Sequence, residues 1–296
     1  MGVRLDRHVR TLGWASLVAN IAIVVTGGAV RLTGSGLGCP TWPRCTEESF
    51  RAHGDLGLHG AIEFGNRLLT FVIAAIAVAT FVAAWQTGRR HLRVLALVLA
   101  LGIPAQAVLG GITVLTDLNS WLVALHLLLS MAMIGVAVLF LHRIDDDVST
   151  WSKGRVQTLA WLTFGAAWAV LYLGTVVTGA GPHAGDINTE RNGLDPVQVS
   201  QLHADGVFLL VGLTVGLLLS AGTARRAVAV LLAVELGQGT IGFVQYFTDL
   251  PELLVGFHLL GAALTSAAVT WALIAVVLRP AASYDGAERE LADQRA

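Results

Sequence analysis

The sequence predicts an all-α, polytopic membrane protein: eight transmembrane helices forming two pseudo-symmetric four-helix bundles, with both termini cytoplasmic. Three observations carry this. Of 296 residues, 55% are hydrophobic and only 13% charged, and the mean hydropathy is +0.69, so the bilayer is the solvent for most of the surface. Apolar runs of about 20 residues, long enough to cross it, recur along the chain. Residues 106–126 also lie over residues 238–258 without a gap, with Gln106/Gln238, Gly110/Gly242, Thr116/Thr248, Asp117/Asp249, Leu118/Leu250 and His126/His258 coincident. The chain is a duplication.

Cytoplasmic residues 1–11 precede the first span, 12–33, which is too long for a removable signal peptide and lacks a small-residue cleavage site. Spans 60–86, 93–115 and 120–142 complete an N-terminal bundle over 12–142. A cytoplasmic linker, 143–155, leads to spans 156–178, 197–221, 226–247 and 252–278, the C-terminal bundle over 156–278. Residues 279–296 form a polar, charged tail expected to be disordered. Arg7, Arg10, Arg89, Arg90, Arg143 and Arg225, among others, fall on one side of this order, whereas the opposite loops carry chiefly Arg44, Arg51 and Arg191. By the positive-inside rule the arginine-rich side is cytoplasmic, and the protein belongs in the cell membrane as a multi-pass protein. The net charge of −1 points to membrane lipid and not to nucleic acid as its surroundings. Self-association into a homo-oligomer is left open.

The two cysteines, Cys39 and Cys45, lie in the first outer loop in Cys-Pro-Thr-Trp-Pro-Arg-Cys. Outside the cytoplasm thiols this close are expected to form a disulfide, with a cycling redox pair and unpaired thiols as alternatives. A c-type haem attachment would need Cys-x-x-Cys-His, and two thiols are too few for a structural zinc site. The first span of each half ends in a small-residue turn, Thr33-Gly34-Ser35-Gly36 and Thr178-Gly179-Ala180-Gly181. These read as paired helix C-caps, or as loops that fold back closely over what the bundles hold.

His126 lies seven residues past Asn119, His203 seven past Pro196 and His258 seven past Pro251, while Asn66 lies six past Gly60. At 1.5 Å per residue all four sit roughly 10 Å below the outer helix ends. Two histidines at one depth on two helices of a bundle can clamp a haem between them as axial ligands, the reading favoured for His203 and His258. The plainer alternative is buried histidines hydrogen-bonded across helices. His8, His91 and His142 at the cytoplasmic face, and His53 and His183 in outer loops, are weaker candidates.

The first half differs. His59, Glu63 and Asn66 share one helical face, and Arg67 follows. A carboxylate at membrane depth beside a haem can serve as a base or stabilise a developing cation. Alternatively Glu63 and Arg67, at i and i+4, neutralise one another. Arg67 and Arg31 are candidates for haem propionates, or snorkel to the interface. Glu235 sits deep in span 7 without an evident partner, and Asp117 and Asp249 are expected to cap spans 4 and 8.

From about residue 12 to 278 these features together resemble haem A synthase, the membrane enzyme that oxidises a methyl group of haem O to the formyl group of haem A for cytochrome oxidase. The resemblance rests on the twofold four-helix repeat, the cysteine pair, the Thr-Gly-Ser-Gly turn, the Glu-x-x-x-Arg stretch, and His126, His203 and His258. It implies a resident haem b on His203 and His258, a substrate haem addressed by His126, Glu63 as the catalytic carboxylate, and Cys39 and Cys45 as the family's loop pair. It also implies haem O synthase and the cytochrome oxidase assembly pathway as partners. The family pattern reads Glu-x-x-His-Arg where this chain has Asn66. The substrate iron is then held by His126 alone, the favoured arrangement, or His59 from two turns further out substitutes for the histidine missing at position 66. Rival readings of the same residues are a dihaem b-type cytochrome that only relays electrons and a transporter built from repeats.

Overall fold

A computed structural model of the protein describes residues 2–52, 57–145 and 149–280; His53 and residues 281–296 lie outside the described residues. Eight helices follow one another: α1 Gly2–Leu32, α2 Gly57–Gln86, α3 Arg90–Leu115, α4 Ser120–Asp145, α5 Arg155–Ala180, α6 Pro196–Ser220, α7 Arg225–Phe247 and α8 Glu252–Val277. Each is long and apolar enough to cross a membrane, in agreement with the expected spans.

Helix α1 begins at Gly2 and so extends through the segment ahead of the first span. Nothing between Gly2 and Trp14 breaks a helix, and the extension is tied to the bundle by ion pairs. Arg10 bonds Asp145 at the end of α4, with one N–O distance of 3.0 Å, and Asp6 lies 3.6 Å from Arg89. A short antiparallel ladder, β1 Ser149–Trp151 with β2 Leu278–Pro280, joins the linker to the chain leaving α8.

The apolar core of α5–α8 is one cluster, that of α1–α4 a larger cluster that includes Ala263 of α8 and a smaller one around Ile73, Ala77 and Ile103. The two halves meet along α4 and α8, where small residues let the backbones approach. The Ser266 hydroxyl donates to the Met131 carbonyl at 2.8 Å, and a methyl group on Gly135 would lie 3.1 Å from Thr270 Oγ1.

The duplication is visible in how helices stop. After α1, Gly34 takes φ 63° while Ser35 N–H reaches back to Val30 O and Gly34 N–H to Arg31 O, a Schellman closure. Its counterpart Gly181 also caps its helix, N–H to Val177 O at 2.9 Å, but in an extended conformation at φ −79° and not a left-handed one. The same closure ends α3 and α7 with aspartate in the glycine position: Asp117 and Asp249 have φ of 52° and 58°, and Leu118 and Leu250 N–H bond Thr113 O and Gln245 O at 2.8 Å. These aspartates therefore terminate the preceding helices and do not cap α4 and α8. Asn119 caps α4 through Trp121 and Leu122 N–H, Asp195 caps α6, and Pro251 heads α8 without a side-chain cap. Aspartate tolerates the left-handed region far better than a β-branched residue. Asp249→Val is accordingly expected to cost about 1–2 kcal/mol and lower the thermal midpoint in detergent, while Asp249→Gly keeps it.

Candidate functional site

At the outer end the two halves are laced together. Gly36 N–H donates to Gly185 O at 2.8 Å, and Arg31 donates to the carbonyls of Thr178, at 2.7 Å, and His183. Asn192 fastens the second outer loop to α5 through Val176 O and Gly179 O. These contacts pack the two loops against one another and against the end of α5.

Cys39 and Cys45 are joined in a disulfide, and the short loop it closes lies on the first bundle. Trp42 sits against Gly111 of α3, where any side chain would collide with the indole, and Gly38 lies directly on the His59 carbonyl at the start of α2. Beneath the loop, Glu63 is only 5% exposed. One of its oxygens accepts from Cys39 N–H at 2.5 Å; the other accepts from Arg67 Nε at 3.1 Å and from its Nη2. Arg67 donates further to the carbonyls of Cys39, Thr41 and Arg44 at 3.0–3.2 Å. The ion pair weighed as the plainer account of Glu63 and Arg67 is thus formed. Arg67 and Arg31 are both engaged with protein carbonyls.

The three membrane histidines occupy equivalent seats. A Cβ on Gly110 of α3 would stand 3.2 Å from His126 Cε1; on Gly174 of α5, 3.3 Å from His203 Cε1; on Gly242 of α7, 3.3 Å from His258 Cε1. In each case a glycine on the preceding helix lets the imidazole lie against backbone. The position equivalent to His203 in the first half departs from this: Asn66 Oδ1 accepts from Thr26 Oγ1 of α1 at 2.8 Å. His59 is exposed near the outer end of α2, with Nδ1 2.9 Å from Ser35 Oγ.

His203 and His258 are brought together, with ring centroids 6.5 Å apart and planes at 78°. Imidazole–metal bonds of about 2.0 Å on either side of one ion put the two centroids roughly 6 Å apart, so the spacing admits an iron between them. Edge-to-face rings alone span similar distances. Nδ1 of His126 is buried without a hydrogen-bond partner, while the carbonyls of Val170 and Gln238 on the preceding helices lie against the rings of His203 and His258 as acceptors, the kind of contact that orients a metal-binding imidazole. Among the described residues no three His, Cys, Asp or Glu side chains come together to hold a metal on their own. The donor set, two neutral imidazoles in an apolar bundle, fits a macrocycle that brings its own four equatorial ligands.

The family described as cytochrome oxidase assembly protein matches residues 10–55 and 58–190, from α1 through α5 and most of the loop that follows. The chain belongs to this family. Curated relatives named haem A synthase include one from Sinorhizobium fredii, 28% identical over 88% of both chains. One from Staphylococcus haemolyticus is 28% identical over 57% of this chain, and the match spans 59% of that relative's length. One from Geobacillus thermodenitrificans is 31% identical over 45% of this chain and 42% of its own. His203 and His258 lie beyond the part matched by the family, so their pairing stands on the duplication and on the geometry above.

Several residues at this site escape a reading of the sequence. Gly174 has no partner in the aligned repeat, and Trp42 gives no sign of where it inserts. Gln106 and Gln238 stand in the repeat and were open to notice: Gln238 Nε2 donates to the His258 carbonyl at 2.7 Å, and Gln106 Nε2 reaches Ser130 Oγ at 2.7 Å. Glu235, 3% exposed, has a partner after all in Thr214 of α6, whose hydroxyl donates to it at 2.8 Å. In the first half the corresponding positions are Ala77 and Ile103, packed in one apolar cluster.

Proposed function

We propose that the protein is a haem A synthase, which hydroxylates one methyl group of haem O twice, each a two-electron oxidation drawing on an external oxidant with oxygen from water or dioxygen, the diol then losing water to give the formyl group of haem A. The observation that carries this is the asymmetry of the two halves. The second presents two facing histidines. The first presents a single seated histidine, an asparagine bonded away to Thr26, and a buried carboxylate under a disulfide-closed loop. A cytochrome that only relays electrons has no use for that difference.

In this reading His203 and His258 hold a resident haem b, which when bound supplies one-electron redox chemistry. His126 addresses the iron of the substrate haem and Asn66 leaves the opposite side open. Glu63, with both oxygens accepting N–H bonds, is placed to stabilise positive charge developing on the substrate. The loop of residues 38–45, pressed on Gly111 and the start of α2, excludes water from the outer side. The substrate comes from haem O synthase, and the product passes to cytochrome oxidase assembly.

Co-expression with a source of haem O, followed by chromatography of the extracted haems, tests the activity. Haem A and its hydroxylated precursor are expected; absence of both would refute it. The glycine seats give a finer prediction. Gly242→Ala forces the His258 ring to yield by a few tenths of an ångström, and haem b retention is expected to weaken roughly 10-fold, the scale of losing a group that orients a ligand. An unchanged absorption spectrum and haem content would show that the seat is unimportant.

A further inference from the structure

The two halves grip their seated histidines differently. In the second half Gln238 of α7 clasps His258 of α8 directly, its amide donating to the His258 carbonyl at 2.7 Å. Gly261 makes this possible, since a Cβ there would collide with the Gln238 carboxamide. In the first half Gln106 occupies the equivalent place on α3, but its amide is intercepted by Ser130 Oγ at 2.7 Å and lies 3.4 Å from the His126 carbonyl, near the limit of a hydrogen bond. Ser130 itself donates to the His126 carbonyl at 3.0 Å. The duplicated frame shows which residues make the difference: Ser130 corresponds to Ala262 and Leu129 to Gly261.

We infer that Ser130 is a positioning residue that loosens the hold on His126, and that the pair Gly261 and Ala262 tightens the hold on His258. The first half is thereby adapted to exchange its macrocycle and the second to keep it. The inference rests on the proposed function for which macrocycle occupies which half. Physically, a rotatable hydroxyl is inserted into the link between α3 and α4, and the direct amide bond lengthens to 3.4 Å. The Oε1 atoms of Gln106 and Gln238 are both buried without a partner, so neither amide is anchored from its other side. Its donor bond alone decides how firmly each glutamine holds its histidine.

Transfer of haem from the purified, loaded protein to excess apomyoglobin, with haem b and haem O or A distinguished by extraction, tests this. In the wild type the first-half haem is expected to leave at least several-fold faster than haem b. Ser130→Ala, which removes the intercepting hydroxyl, should slow its loss several-fold and leave haem b unaffected. Ala262→Ser, and independently Gln238→Leu, should speed the loss of haem b several-fold with the thermal midpoint of the haem-free protein unchanged. Unaltered transfer rates in Ser130→Ala and Ala262→Ser would overturn the inference. The haem b arm needs no haem A formation, so a protein that shifts these rates without making haem A would refute the proposed activity and leave the clamp standing.

Discussion

His258→Ala is expected to yield protein that purifies without its resident haem: the low-spin absorption disappears and haem b per polypeptide falls on the order of 100-fold in affinity terms or more. The estimate follows from the neighbourhood. Removing a group that merely orients a metal ligand costs about 10–100-fold, and here the ligand itself is lost. The cavity left is lined by Gly242 and faces His203. No other histidine, cysteine or carboxylate joins that pair among the described residues, so no neighbour can take over. Added imidazole should enter the vacated space and restore a low-spin spectrum, which separates loss of a ligand from loss of the fold. Full haem occupancy with an unchanged spectrum would place the iron elsewhere.

The helix count and the histidine depths are legible in the sequence because both depend on local quantities: an apolar run has to span the bilayer, and each residue adds 1.5 Å. Pairing of His203 with His258 is legible for the same reason. What is not legible depends on where a short polar group finds a partner in space. Asp117 and Asp249 look like N-caps because they precede helices, yet the backbone reaches back five residues and uses them as left-handed stops. Arg31 and Arg67 look like cations at an interface, and nothing in their neighbours along the chain announces the carbonyls of Thr178 or Thr41. The helical extension of α1 is hidden behind its charges, whose partners Asp145 and Arg89 lie far away in sequence. The glycine seats fall between the two cases: Gly110 and Gly242 are in the repeat, but only the packed helices reveal that an imidazole lies on each.

Glu63→Gln is expected to lower haem A formation about 10²-fold, the scale on which removing one fixed electrostatic group slows a reaction, while the loop above it stays closed. The two effects separate because of how the carboxylate is used. Glutamine keeps an oxygen that can accept from Cys39 N–H, and Arg67 retains its bonds to the carbonyls of Cys39, Thr41 and Arg44. The charge is lost, and with it the two Arg67 bonds to Oε1, whose place the amide NH2 takes. Glu63→Leu removes the acceptor as well and strands the Arg67 guanidinium in a mostly buried place, a change that for buried pairs costs roughly 3–5 kcal/mol; loop protection should fall with it. The measurements are haem A yield on one side and, on the other, access of proteases and mild reductant to residues 38–45 and the Cys39–Cys45 bond. A Glu63→Gln protein with wild-type haem A yield and an intact loop would reduce Glu63 to a clasp for the disulfide loop. Loss of yield in step with loop opening across both variants would assign the chemistry to the loop's exclusion of water. Loss of yield with the loop closed is the outcome that makes the charge of Glu63 part of the reaction.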